Sequence, residues 1–153
     1  MSDDVELDTK NLDKLVRALR KKAGSIRIGI FGGNAARSNG SVNNATIGAF
    51  HEFGTSKLPV RSFLRMPISE HMGPYLESSG ALNESVLKEV VKQGTIDPWL
   101  QKIAILAETI VADAFDTGGF GKWTPSNMAN KENQQTLVET QQLRNSITTE
   151  IKN

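Results

Sequence analysis

The sequence predicts an α+β fold in which a small antiparallel sheet packs against long amphipathic helices. Three observations carry that expectation. Residues 25–31 and 146–152 alternate apolar and polar side chains with the period of two that marks a half-buried strand. Longer segments place Leu, Ile, Val and Ala at three- and four-residue spacing, as an amphipathic helix requires. Between them, residues 32–44 and 117–136 are rich in Gly, Asn, Ser and Thr, which favour turns over packing.

Taken in order, residues 8–23 carry Leu12, Leu15, Val16 and Leu19 at helical spacing. Acids precede them, Arg20, Lys21 and Lys22 oppose the negative pole of the helix dipole, and Gly24 is the stop. Ile26, Ile28 and Ile30 then alternate with Arg27 and Gly29 in a first strand. The loop at 32–44 is predicted to be long, mobile and exposed. Asn44 is placed to cap a short helix through Ile47, Ala49, Phe50 and Phe53 that ends at Gly54, and in the connector that follows Pro59 holds Leu58 away from the helical region. Pro67 suits a first helical turn; Ile68, Met72, Tyr75 and Leu76 mark one face, and Gly73-Pro74 is expected to kink or interrupt that helix.

Leu82, Val86, Leu87, Val90 and Val91 continue a helical pattern to Gly94. The clearest helix comes next, with Asp97 as N-cap, Pro98 at the first helical position, a broad apolar face from Leu100 to Phe115, and Gly118-Gly119 as its end. It is the expected spine of the core. Residues 117–136 return to turn chemistry and form a second mobile loop, anchored by Phe120 and Trp123. Residues 138–145 make a short helix, and Ile147, Thr149 and Ile151 alternate with Thr148 and Glu150 in a terminal strand. Two strands alone are a marginal sheet. Either the polar loop after Phe31 folds into a further hairpin, or strands of neighbouring subunits add edge to edge.

A chain of 153 residues fits one domain, 1–153, and at that size folding buries about 68–70% of the surface the unfolded chain exposes. Eighteen basic and seventeen acidic side chains leave a net charge of +1, so any electrostatic preference comes from local clustering. The absence of Cys excludes disulfides, thiolate metal sites and thiol catalysis. No apolar run approaches the roughly 20 residues that span a bilayer, and the acidic start MSDDVELD is unlike a secretory signal, so a soluble, unprocessed chain with no membrane contact is expected.

Chemistry is hard to find in the sequence. GIFGG after the first strand is not the GxGxxG of a dinucleotide loop, and His51-Glu52 lacks the second His, four residues after the first, that a zincin helix needs. Without a GxSxG or a Cys nucleophile, no catalytic, cofactor-binding or metal-binding residue is assigned and the chain is expected not to be an enzyme. The informative stretch is residues 47–67, IGAFHEFGTSKLPVRSFLRMP. It couples an aromatic turn to a connector holding Lys57, Arg61 and Arg65 with no acid between Gly54 and Pro67. Three such charges usually form a solvated face, yet Arg with Phe63, Leu64 and Met66 beside it suits a protein interface.

Within this stretch, AFHEFGT followed by LPVRSFLRMPI resembles the YA-x-x-HEFG…IPARPFL pattern of tailed-phage tail-completion and head-tail joining proteins. A second segment, GFGKWTPSN and then TLVETQQLRNSIT, is similar to the W-x-P-L…LxxTGxLxxSI segment of virion morphogenesis proteins in that broad group. Together they cover about a third of the chain. Gln141 stands where the second motif usually has Gly, which predicts a more helical turn there. The segment order is also reversed relative to the commonest members. If the two segments are neighbours in space, the sheet joins residues 26–31 with 147–151.

The resemblance implies a structural subunit of the phage neck, a tail-completion or tail-terminator protein, most often a ring of six copies, that meets the tail-tube protein and the head connector or stopper protein. DNA would pass through such a ring, in transient contact with it. The expected location is the virion neck, and the host cytoplasm during assembly. The interface residues expected are His51, Glu52, Phe53, Gly54, Lys57, Pro59, Arg61, Phe63, Arg65, Trp123 and Leu143. A minor head or connector component is the nearest alternative; a small nucleic-acid-binding regulator using Lys57, Arg61 and Arg65 is the alternative of another class.

Overall fold

The computed structural model describes residues 9–21, 24–36, 42–124 and 141–152. Among them are six α-helices and two strands: α1 (Thr9–Arg20), β1 (Ser25–Ile30), α2 (Asn44–Phe53), α3 (Arg65–Ser79), α4 (Glu84–Gln93), α5 (Asp97–Thr117), α6 (Gln142–Asn145) and β2 (Ile147–Lys152), with a 3₁₀ turn at Gly32–Ala35. This is the expected α+β arrangement. The strands pair antiparallel from Ser25 opposite Lys152 to Ile30 opposite Ile147, joining the two period-2 segments.

The 21-residue α5 is the spine, about 31 Å long at 1.5 Å per residue. It packs against α3, α4 and both strands. Phe115, Ala114 and Ile110 on it are fully buried. Two apolar clusters form along its length. One joins Phe63, Val111, Phe115 and Leu143 beneath Ile28, Ile30 and Ile147; the other joins Ala18, Val90, Ile96 and Leu100 beneath Ile26 and Ile151. The isoleucine face of the sheet therefore covers both, which is why alternation was visible in the sequence.

Several expectations move by a residue or more. Asn43, not Asn44, caps α2, its side chain accepting the Thr46 N–H at 2.8 Å; Asn44 is the first helical residue, buried, and donates to the Ala36 carbonyl at 3.2 Å. Ile96 occupies the cap position of α5, and Asp97 contributes an acid to its first turn. In α1 only Leu15 and Ala18 join the core, whereas Leu12 and Leu19 stay exposed. The helix α3 runs through Pro74 without interruption. The ring removes one N–H, but α3 lies along α5, where the Tyr75 hydroxyl donates to Asp113, and that packing holds the helix together. The first part of the predicted mobile loop at 117–136 is a compact set of turns as far as Trp123; residues 125–140 and 37–41, and with them the start of the predicted helix at 138–145, lie outside the described residues.

Candidate functional site

The stretch 47–67 folds into a junction between two helices. Helix α2 ends at Phe53, and Gly54 reverses the chain at φ 73°, ψ 172°, a region that penalises any side chain. A Cβ there would also meet Val60 Cγ2 at 3.0 Å and the Leu58 carbonyl at 3.1 Å. Thr55 stabilises the tight turn that follows, its hydroxyl accepting the N–H of Lys57 and of Leu58 at 3.2 and 3.0 Å. The chain then returns along α2, where the Arg61 N–H donates to the His51 carbonyl at 2.7 Å.

This return brings the start of α3 onto Glu52. The carboxylate is buried and accepts four hydrogen bonds: at Oε1 from the Ser62 hydroxyl at 2.6 Å and the Arg65 N–H at 3.0 Å, and at Oε2 from the N–H groups of Phe63 and Leu64 at 2.9 and 3.0 Å. Ser62 Oγ in turn accepts the Met66 N–H at 3.0 Å. The first N–H groups of a helix have no partners within it and carry its positive pole, so an anion is well suited to that place. Glu52 is thus the cap of α3, supplied from another helix. Among the described residues no group of three His, Asp or Glu is placed to hold a metal ion.

The second segment closes over the junction. Trp123 Nε1 donates to the Ser62 carbonyl at 2.9 Å, and Arg61 Nε donates to the Thr124 carbonyl at 2.9 Å. Phe63, Phe115 and Trp123 form an aromatic series, with centroids 5.4 Å and 5.6 Å apart, the second pair edge to face. Gly119 lies so close under the indole that a Cβ would fall 2.2 Å from it. Outside, Lys122 pairs with Glu70, whose carboxyl that hydrogen bond holds below its usual range, and Phe120 stacks on His71 at 3.7 Å. Leu143 from α6 packs against Phe63 and approaches the bare surface of Gly48. Gln141, just before α6, takes φ 52° in the left-handed region, so the position usually held by Gly keeps a glycine-type turn and is not more helical.

No family model, curated protein or solved structure matches the chain.

The expected interface residues divide into two groups. Glu52, Arg61, Phe63 and Leu143 are buried within the subunit, and their side chains are fixtures of the fold, not docking contacts. Their apolar or hydrogen-bonding partners lie in the same chain, so charge reversal at Arg61 would test folding. His51, Gly54 and Trp123 are half-buried in the junction. Phe53, Lys57, Pro59 and Arg65 remain outside. Phe53 is 64% exposed, with the Arg65 guanidinium 5.6 Å from its ring centroid. Arg65 also lies 3.8 Å from Glu52, so the cluster is not a solvated triple charge. Phe50, Val60 and Met66 add further exposed apolar surface on the same stretch of chain. Sequence reasoning did not single out Phe50 and Val60 as interface residues; the signals were an apolar side chain just before HEFG on a ten-residue helix and one just after Pro59 in the connector. Ser62 was missed too, although a serine just before a helix is an ordinary capping signal.

Proposed function

We propose that this chain is a non-enzymatic structural subunit of a tailed-phage neck: a tail-completion or tail-terminator protein, acting as a ring of six copies, that closes the tail tube and docks it to the head connector. The observation that carries the reading is convergence. Two segments far apart in sequence resemble such proteins, and they meet at one junction, where Trp123 bonds to Ser62 and Leu143 packs on Phe63. What that junction presents outward is a surface of Phe53, Val60 and Met66 edged by Lys57 and Arg65, the aromatic and basic chemistry of interface anchors. With Arg61 turned inward, Lys57 and Arg65 are what the connector cluster keeps for a nucleic-acid backbone, which weighs against the regulator. No helix among the described residues is long and apolar enough to cross a membrane.

Complementation tests this. A phage lacking the gene and supplied with the K57E/F53D double variant is expected to yield separate heads and tails by electron microscopy, while the variant keeps the parent's circular dichroism. Normal joined particles from that variant would refute the docking surface; tight duplex-DNA binding that falls steeply with salt would favour the regulator instead.

A further inference from the structure

A strand at a sheet edge carries a row of backbone groups without partners, and the two edges of this sheet differ. On β2, the Thr149 N–H donates to Glu108 Oε1 at 3.0 Å and the Thr149 hydroxyl donates to the same oxygen at 2.5 Å, so a side chain of α5 lies across the middle of that edge. This bond also fixes the phase of the ladder. In an antiparallel pair, a residue turns both backbone groups toward its partner strand or both away. Thr149 turns away; so, therefore, does Ile28 opposite it, and with it Ile26 and Ile30. The outward N–H and C=O groups of those three isoleucines make no hydrogen bond among the described residues. Beside them runs a groove of about 510 Å³ lined by Ile28, Ile30, Ala45, Ala49, Phe53 and Ile68.

We propose that the open edge of β1 pairs with the β1 edge of a second copy of this chain, antiparallel about a two-fold axis through Ile28, to give a continuous four-stranded sheet. Self-complementarity of the strand selects this occupant. With Ile28 opposite Ile28, Ile26 faces Ile30 in both directions, and every outward group of the three residues in each copy finds a partner. Sliding the register by two residues leaves a terminal isoleucine unpaired, and in one direction sets Arg27 against Arg27 of the second copy. The centred register sets Arg27 against Gly29, which carries no charge. A two-fold axis normal to the sheet keeps both isoleucine faces on one side. The end of the groove beside Ile28 and Ile30 then gains cover, and the sheet reaches a strand number that is stable in water. With one open edge per copy among the described residues, pairing through the sheet closes at two. This solution dimer stands or falls apart from the neck reading.

Because the chain has no cysteine, introduced thiols report the register without background. Arg27 and Gly29 form a non-hydrogen-bonded cross-strand pair in the proposed dimer, close enough for a disulfide. The R27C/G29C double variant is expected to oxidise to a covalent dimer, with the two single variants cross-linking only slightly, and the unaltered chain to sediment as a dimer. Gly29→Lys, on the face away from the core, sets a second cation beside Arg27 and is expected to weaken the dimer by roughly tenfold while leaving the circular dichroism unchanged. Sedimentation of the unaltered chain as a monomer at about 100 μM would overturn the proposal, as would single-cysteine variants that cross-link as well as the double variant.

Discussion

Glu52 ends one helix and begins another. A carboxylate that accepts hydrogen bonds from Ser62, Phe63, Leu64 and Arg65 holds the connector, the helix start and the core phenylalanine in one register. Removing it strands three backbone donors in a buried place, so Glu52→Ala should destabilise the subunit by about 3 kcal/mol or more, whereas Glu52→Gln keeps some acceptor capacity and should cost less. Urea denaturation of both variants measures the difference; equal and small losses would mean that water satisfies the donors. None of this was legible in HEFG. The motif showed an acid followed by a turn glycine, but the groups that the acid binds lie 10 to 13 residues further along. Gln141 is similar: periodicity predicts helix there, and only the observed left-handed turn shows that its backbone is set by where α6 must enter the core.

At the scale of elements, local signals served well where they were dense. The isoleucine alternation of β1, the glycine stops at Gly54, Gly94 and Gly118 and the long apolar face of α5 lie where the sequence puts them, because each is decided within a few residues, whereas α1 ends at Arg20, short of the expected stop at Gly24. Helix α3 was harder to read, since Pro74 argues locally for a break and contact with α5 overrides it. Part of that contact is the hydrogen bond from Tyr75 to Asp113. The bond, then burial, then the nearby carboxylate charge raise the Tyr75 pKa above its ordinary value. A raised folded-state pKa favours the protonated form, so this contribution is complete below about pH 10 and is lost as pH rises through the folded-state value. The parent should therefore lose stability more steeply than Tyr75→Phe as pH rises above about 10, read from urea midpoints. Parallel curves would show that the tie adds nothing.

For the whole molecule, the treatment of the sheet edges decides how many copies the sheet itself can join. Glu108 occupies the β2 edge and leaves β1 open, so edge pairing stops at a two-fold pair. Glu108→Ala opens the second edge, and copies can then add without closure. Light scattering should show assemblies that grow with concentration in that variant, while Glu108→Gln, which keeps an acceptor for Thr149, should stay with the parent. Identical behaviour of all three would mean that the edge is protected by shape and not by the hydrogen bonds. The sequence showed that two strands are too few for a sheet and left a further hairpin or a neighbour's strand to complete it; that Glu108 guards the β2 edge depends on a single long-range side chain.

The partners of the sheet also set a clock. Residues 25–30 pair with residues 147–152, so during synthesis β1 waits with both edges bare until nearly the whole described chain has left the ribosome. Helices α3, α4 and α5 can gather around local contacts meanwhile, but the covering of Ile26, Ile28 and Ile30 comes last. Until β2 arrives a bare β1 offers two edges for mispairing, so the unfinished chain is the state most exposed to aggregation, and completing the core leaves one.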